Sequence, residues 1–176
     1  MNQGQKSIPL TIVLADDDSD DCTFFKEALR DFSLPTHLTI VEDGEKLMTL
    51  LTDVTKKLPD VIFLDLNMPR KNGFECLADI KESERLMHLP VIIYSTSFHR
   101  KIANMLHDKG ANYYISKPSE ISALKEAVRK MVTLISEGKF LHPTKETFLL
   151  TAERKNSKTF LWFNDFFIIP GEESVN

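Results

Sequence analysis

The sequence predicts an α/β domain, a five-stranded parallel sheet with helices on both faces, followed by a C-terminal extension. Two observations carry this. Between residue 10 and about residue 137, five short β-branched or apolar runs alternate strictly with five stretches of helical spacing, as a parallel sheet with crossover helices requires. The runs are also apolar almost throughout instead of alternating, the mark of strands buried on both faces.

Taken in order, LTIVLA (10–15) is the first strand. The helix after it, 19–32, sets Cys22, Phe25, Leu29 and Phe32 on one face. Ser19 or Asp20 is its N-cap, and Pro35 lies just beyond its end. HLTIV (37–41) is the second strand, and helix 44–56 repeats Leu47, Leu50, Leu51 and Val54. DVIFLD (60–65) is the third, followed by helix 73–84 with Phe74, Leu77 and Ile80. PVIIYS (90–95) is the fourth, followed by helix 99–109 with Ile102, Met105 and Leu106 and a C-cap at Gly110. NYYIS (112–116) is the fifth. Helix 119–136, capped by Ser119, then repeats Ile121, Leu124, Val128, Val132 and Ile135.

Composition narrows the function classes. The chain has 176 residues and a net charge of −4, enough for one domain with an appendage. The acidic balance argues against an electrostatic nucleic-acid binder. No apolar stretch approaches the roughly 20 residues of a membrane span, and MNQGQKSIPL lacks the apolar region of a signal peptide. Cys22 and Cys76 form no CxxC pair, so neither a disulfide framework nor a zinc site is expected. A cytoplasmic location follows as the expectation.

Open parallel sheets place their sites at the carboxyl ends of the strands. Asp16 and Asp17 follow the first strand, Asp65 ends the third, Ser95 and Thr96 end the fourth, and Lys117 follows the fifth. Three carboxylates brought together cannot all stay ionised without compensation. A hard cation bound through oxygen, such as Mg²⁺, would supply it. Metal, lysine and hydroxyl together match the three equatorial oxygens of a transferring phosphoryl group. One carboxylate remains as nucleophile, giving an aspartyl-phosphate. Read alone, the acidic run 16–21 is equally a solvated loop or a helix cap. It also mimics a calcium loop, with Asp16, Asp18 and Asp20 at positions 1, 3 and 5 and Glu27 at position 12. That match fails because Asp21 stands where the loop needs glycine and a strand precedes it.

Four motifs, IVLADDD (12–18), VIFLDLNMPRKNGFE (61–75), PVIIYSTS (90–97) and GANYYISKPSE (110–120), resemble in order and spacing the receiver domains of two-component response regulators. The likeness covers about 8–137 and is nearest to small stand-alone receivers, including those that serve bacterial phytochrome kinases. It implies a flavodoxin-like (βα)₅ fold with strand order 2-1-3-4-5. It implies Asp65 as phosphoacceptor, Asp17 and Asp16 as ligands of Mg²⁺ together with Asp65, and the backbone carbonyl of Asn67 as a further ligand. Ser95 matches the switch hydroxyl, Lys117 the lysine that pairs first with the acceptor and then with the phosphate, and Tyr114 the aromatic switch position. The Lys117–Pro118 bond is cis in the family. Asp18 and Asp20 match no family role and are read, with Asp21, as capping or solvated. The resemblance implies a histidine kinase as phosphodonor, slow self-dephosphorylation, and a histidine phosphotransfer protein or another effector downstream. It implies switching on the face formed by the fourth helix, fifth strand and fifth helix, with no DNA-binding output domain. The alternative is a haloacid-dehalogenase-type phosphatase with Asp16 as nucleophile and Asp18 as acid. It leaves Asp65 without a role and lacks an acidic pair after Lys117.

Residues 138–176 lie beyond the receiver-like region and hold six of the twelve Phe and the single Trp. TFLLTA (147–152) and TFLWF (159–163) are expected to form a hairpin turning at Asn156–Ser157. A hairpin alone is marginal in water, so the extension is expected to pack on its own domain or on a second copy as a homodimer.

Overall fold

The computed structural model describes residues 9–150, apart from 31, 33, 97–98, 139–142 and 146, and the backbone of 161–163 and 166–168. Strands β1 (Leu10–Ala15), β2 (Thr36–Val41), β3 (Val61–Leu64), β4 (Val91–Ser95) and β5 (Tyr113–Ser116) alternate with helices α1 (Ser19–Arg30), α2 (Gly44–Thr52), α3 (Gly73–Glu82), α4 (Arg100–Asp108) and α5 (Ile121–Ser136). All five strands are parallel, in the order β2-β1-β3-β4-β5, the flavodoxin-like order that the receiver resemblance implies.

The period-2 geometry of the strands splits the core in two. Val13, Ile62, Leu64, Ile93 and Tyr114 face α2, α3 and α4, where they meet Leu47, Leu77 and Leu106. Ile12, Leu14, Phe63, Ile92 and Ile115 face α1 and α5, where they meet Phe25, Leu124 and Val128.

Four local expectations are corrected. The cap of α1 is neither Ser19 nor Asp20 but Asp18, one of the residues read as capping or solvated, whose Oδ1 accepts the N–H groups of Asp20 (2.8 Å) and Asp21 (3.1 Å). Helix α2 stops at Thr52, leaving Val54 80% exposed instead of on an apolar face. Asp53 ends it by accepting both the N–H and the hydroxyl of Thr55, a local bond that competes with the helix ladder. Ser119 does not cap α5, which starts after an extended Glu120 that makes no side-chain cap. No described peptide bond is cis, so Lys117–Pro118 is trans, the form X–Pro bonds favour by about 0.5–1 kcal/mol.

The extension differs more. A sixth strand, β6 (Leu149–Leu150), joins the sheet parallel to β5, with Tyr114 opposite Leu149 and Ile115 opposite Leu150. Strands β7 (Leu161–Phe163) and β8 (Phe166–Ile168) pair antiparallel with each other. Among the described residues, Leu149–Leu150 pairs with β5 and Leu161–Phe163 with β8, not with each other, while 151–160, with the expected turn at Asn156–Ser157, lies outside the described residues. The open edge of β5 explains the choice, because its unpaired backbone groups accept a strand. Pairing there also buries Phe148, Leu149 and Leu150.

Candidate functional site: a buried carboxylate and lysine cluster

Strand register builds the site. Ala15 lies opposite Leu64, and Ser95 opposite Ser116, so the residues that follow these pairs emerge along one rim. Backbone bonds hold them there: Asp16 N–H to Val41 O (3.0 Å), Asp65 N–H to Ala15 O (2.9 Å) and Lys117 N–H to Ser95 O (2.9 Å). Gly73 allows α3 to start against this rim. A Cβ at that position would lie 2.1 Å from the Asp65 carbonyl oxygen, closer than any side chain can approach.

Asp16 and Asp65 are buried and Asp17 is exposed, and one carboxylate oxygen from each lies within 4.8 Å of the others. Asp16 has no exposed surface. Burial pushes its carboxyl up to about 6, against the pull of Lys117. Its Oδ1 accepts the Asp18 N–H at 3.1 Å. Oδ2 lies 2.7 Å from Lys117 Nζ but receives no well-aligned hydrogen bond among the described residues. A buried carboxylate oxygen beside the Lys117 ammonium, with two further carboxylates close by, is a donor set that fits a divalent cation. Asn67 lies exposed in the loop after β3.

Lys117 is at the centre of the charge balance. Its Nζ lies 2.7 Å from Asp16 Oδ2, 2.7 Å from Asp21 Oδ2 and 3.9 Å from Asp65 Oδ2. Burial works against its charge, but the bonds to Asp16 and Asp21 outweigh that and raise its pKa. The ammonium also stands 5.1 Å from the centre of the Tyr94 ring. The pairing with Asp21 corrects the reading of that residue as capping or solvated. Its signal lay in the helix period, since Asp21 sits four residues before the buried Phe25 and shares its inward face.

Ser95 is fully buried, and among the described residues no well-aligned hydrogen bond reaches its Oγ. It neighbours the hydroxyl of Tyr114, whose pKa burial pushes up to about 12 while Ser95 pulls the other way. The Tyr114 ring is itself fully buried. Phe148 stands edge-on to it with centroids 6.4 Å apart, and His107 packs edge-on to Phe148 at 5.3 Å.

A second charged link anchors the loop after β3. Arg70 takes a left-handed backbone (φ 63°) and pairs with the fully buried Asp43. Asp43 in turn caps α2 by accepting the Lys46 N–H at 2.7 Å.

The family profile described as the response regulator receiver domain matches residues 12–129. The chain belongs to that family. As a receiver, it is 30% identical over 125 residues to Response regulator Rcp1 of Synechocystis sp. (strain ATCC 27184 / PCC 6803 / Kazusa), covering 69% of this chain and 85% of Rcp1. Among solved structures it resembles the phosphorylated cyanobacterial phytochrome response regulator RcpA, with 32% identity and a TM-score of 0.67 over 72% of this chain and 94% of that one. It also resembles the Mn²⁺-bound form of Rcp1, with 28% identity and a TM-score of 0.68 over 77% of this chain and all of that one. Receivers take part in two-component signalling with histidine kinases and downstream effectors. Family membership leaves the phosphatase reading, with Asp16 as nucleophile, without support. Among the described residues no helix is long and apolar enough to cross a membrane.

Proposed function

We propose that this receiver accepts a phosphoryl group from a histidine kinase on Asp65, in a reaction that requires Mg²⁺. The observation that carries the reading is the convergence of Asp16, Asp17, Asp65 and Lys117 on one rim. In the transfer, the P–N bond of the donor phosphohistidine breaks as a carboxylate oxygen of Asp65 bonds to phosphorus. Asp16, Asp17, Asp65 and the carbonyl of Asn67 would hold the metal. Bound there, it would neutralise charge on the phosphoryl oxygens. Lys117 faces the same oxygens with its ammonium, and the Ser95 hydroxyl donates to one of them. Slow hydrolysis of the acyl phosphate resets the protein.

The added charge, roughly −1.5 to −2, is read out through Ser95 and Tyr114 on the face of α4, β5 and α5. We place the receiver at 8–137 and the extension at 138–176, whose described stretch around 143–150 packs on this same face. Support comes from β6 on the edge of β5, from Phe148 against Tyr114, and from two links to α4. His107 Nε2 is 2.9 Å from the Pro143 carbonyl, and Lys145 Nζ is 2.7 Å from Asp108 Oδ1. A downstream effector or phosphotransfer protein that reads this face therefore meets the chain's own segment there.

Treating the full chain with acetyl phosphate and Mg²⁺, then locating the label by mass spectrometry, tests the assignment. Label on Asp65 and its loss in Asp65→Asn are expected. Label on Asp16 would overturn it. Sedimentation of the full chain tests for a homodimer, and a monomer overturns one formed through the extension.

A further inference from the structure

Lys117 has three ammonium protons, and two near neighbours hold it away from the acceptor. Asp16 Oδ2 and Asp21 Oδ2 both lie 2.7 Å from Nζ, whereas Asp65 Oδ2 is 3.9 Å away. The two holding carboxylates differ in environment. The Asp16 side chain is fully buried, and that of Asp21 is 26% exposed. Asp21 lines a cavity of about 580 Å³ with Phe24, Tyr94, Thr96 and Lys117. Its position is fixed from behind, because its N–H is bound by the capping carboxylate of Asp18.

We infer that Asp21 is a positioning residue, a latch that holds Lys117 off Asp65 in the resting protein and is released when a phosphoryl group arrives. The inference rests on Asp65 being the phosphoacceptor. The physical case is one of unequal costs. Nζ lies 3.9 Å from Asp65 Oδ2, so moving it toward a phosphoryl oxygen on Asp65 lengthens its contact with one of its two close carboxylates. Without a metal, leaving Asp16 would strand a fully buried charge, which is expensive; with Mg²⁺ on Asp16 the metal would compensate that charge, and Asp21 would remain as the anion that holds Nζ. Leaving Asp21 returns a partly exposed carboxylate to water, which is cheap. Asp21 is therefore the partner that lets go, and its hold on Lys117 sets how strongly a phosphoryl group has to compete. Its negative charge also opposes an approaching anionic donor at short range.

The test measures the affinity of the full chain for beryllofluoride, a phosphoryl mimic, at saturating Mg²⁺ by calorimetry. Asp21→Asn keeps the shape and removes the charge, and should bind beryllofluoride roughly threefold to tenfold more tightly, the range of a partly exposed charge contact. Asp21→Glu should restore wild-type affinity, and Asp20→Asn, at an exposed neighbour, should leave it unchanged. In the metal-free protein the Lys117 Nζ resonance should shift in Asp21→Asn and stay in place in Asp20→Asn, which a purely structural helix cap would not produce. Unchanged or weaker binding by a folded Asp21→Asn, or an unmoved Lys117 resonance, overturns the latch. Failure of the wild type itself to bind beryllofluoride overturns the phosphoacceptor assignment beneath it.

Discussion

Tyr114 and Phe148, 34 positions apart, are joined twice: the Tyr114 N–H donates to the Phe148 carbonyl at 2.9 Å, and the two rings meet edge to face. The residue assigned to the switch is thus braced by the extension. Phe148→Ala should destabilise the full chain by about 3–5 kcal/mol, as Phe deletions in packed cores do. Urea denaturation followed by circular dichroism measures this, and a loss below about 1 kcal/mol would contradict the packing.

Asp16 gives the stability a definite pH signature. Its carboxyl is raised from 3.8 to about 6 by burial, so between those values the folded state holds more protons than the unfolded one. Its contribution is fully present below about pH 4 and is lost as pH rises through about 6. The loss is on the order of 3 kcal/mol. In EDTA, the wild type minus Asp16→Asn difference should fall across that window. A flat difference would mean that the carboxyl titrates normally.

The same proton competes with a cation. Mn²⁺ binding, followed by electron paramagnetic resonance, should weaken progressively below about pH 6. Asp17→Asn and Asp65→Asn should each lower the affinity at pH 7.5 by at least tenfold. Equal affinity in either variant would remove that carboxylate from the ligand set.

Arg70 combines a left-handed backbone with an ion pair to the buried Asp43, and two substitutions separate these. Arg70→Ala loses the pair and keeps the backbone cost, whereas Arg70→Gly loses the pair and removes that cost. Arg70→Gly should therefore be the more stable by about 1 kcal/mol. Thermal unfolding of the two variants decides it, and the reverse order would refute the account.

Much of the fold was legible in the sequence because strands buried on both faces need apolar residues at nearly every position, as VIFL and VIIY show. The rim was legible for a related reason: once the strands are placed, the polar residues that end them must share an edge. What escaped depends on contacts distant in sequence or on local competition. Asp21 meets Lys117 across 96 positions, and only its helical phase hinted at that. The Asp53 side chain ended α2 early although the apolar period continued to Val54. Leu149 and Leu150 are as apolar as any hairpin arm, and nothing local says that the open edge of β5 is the better partner.

The sixth strand also bears on how the protein behaves in a crowded solution. Without it, the sheet would end at β5, four residues of backbone with a tyrosine behind them and nothing to stop another chain from pairing there. With it, the pairing along that side is two residues long among the described residues, too short to template a neighbour. A chain cut at the end of α5 would keep every phosphoryl-handling residue and yet present a sticky margin, so its self-association would report the cut rather than the native assembly.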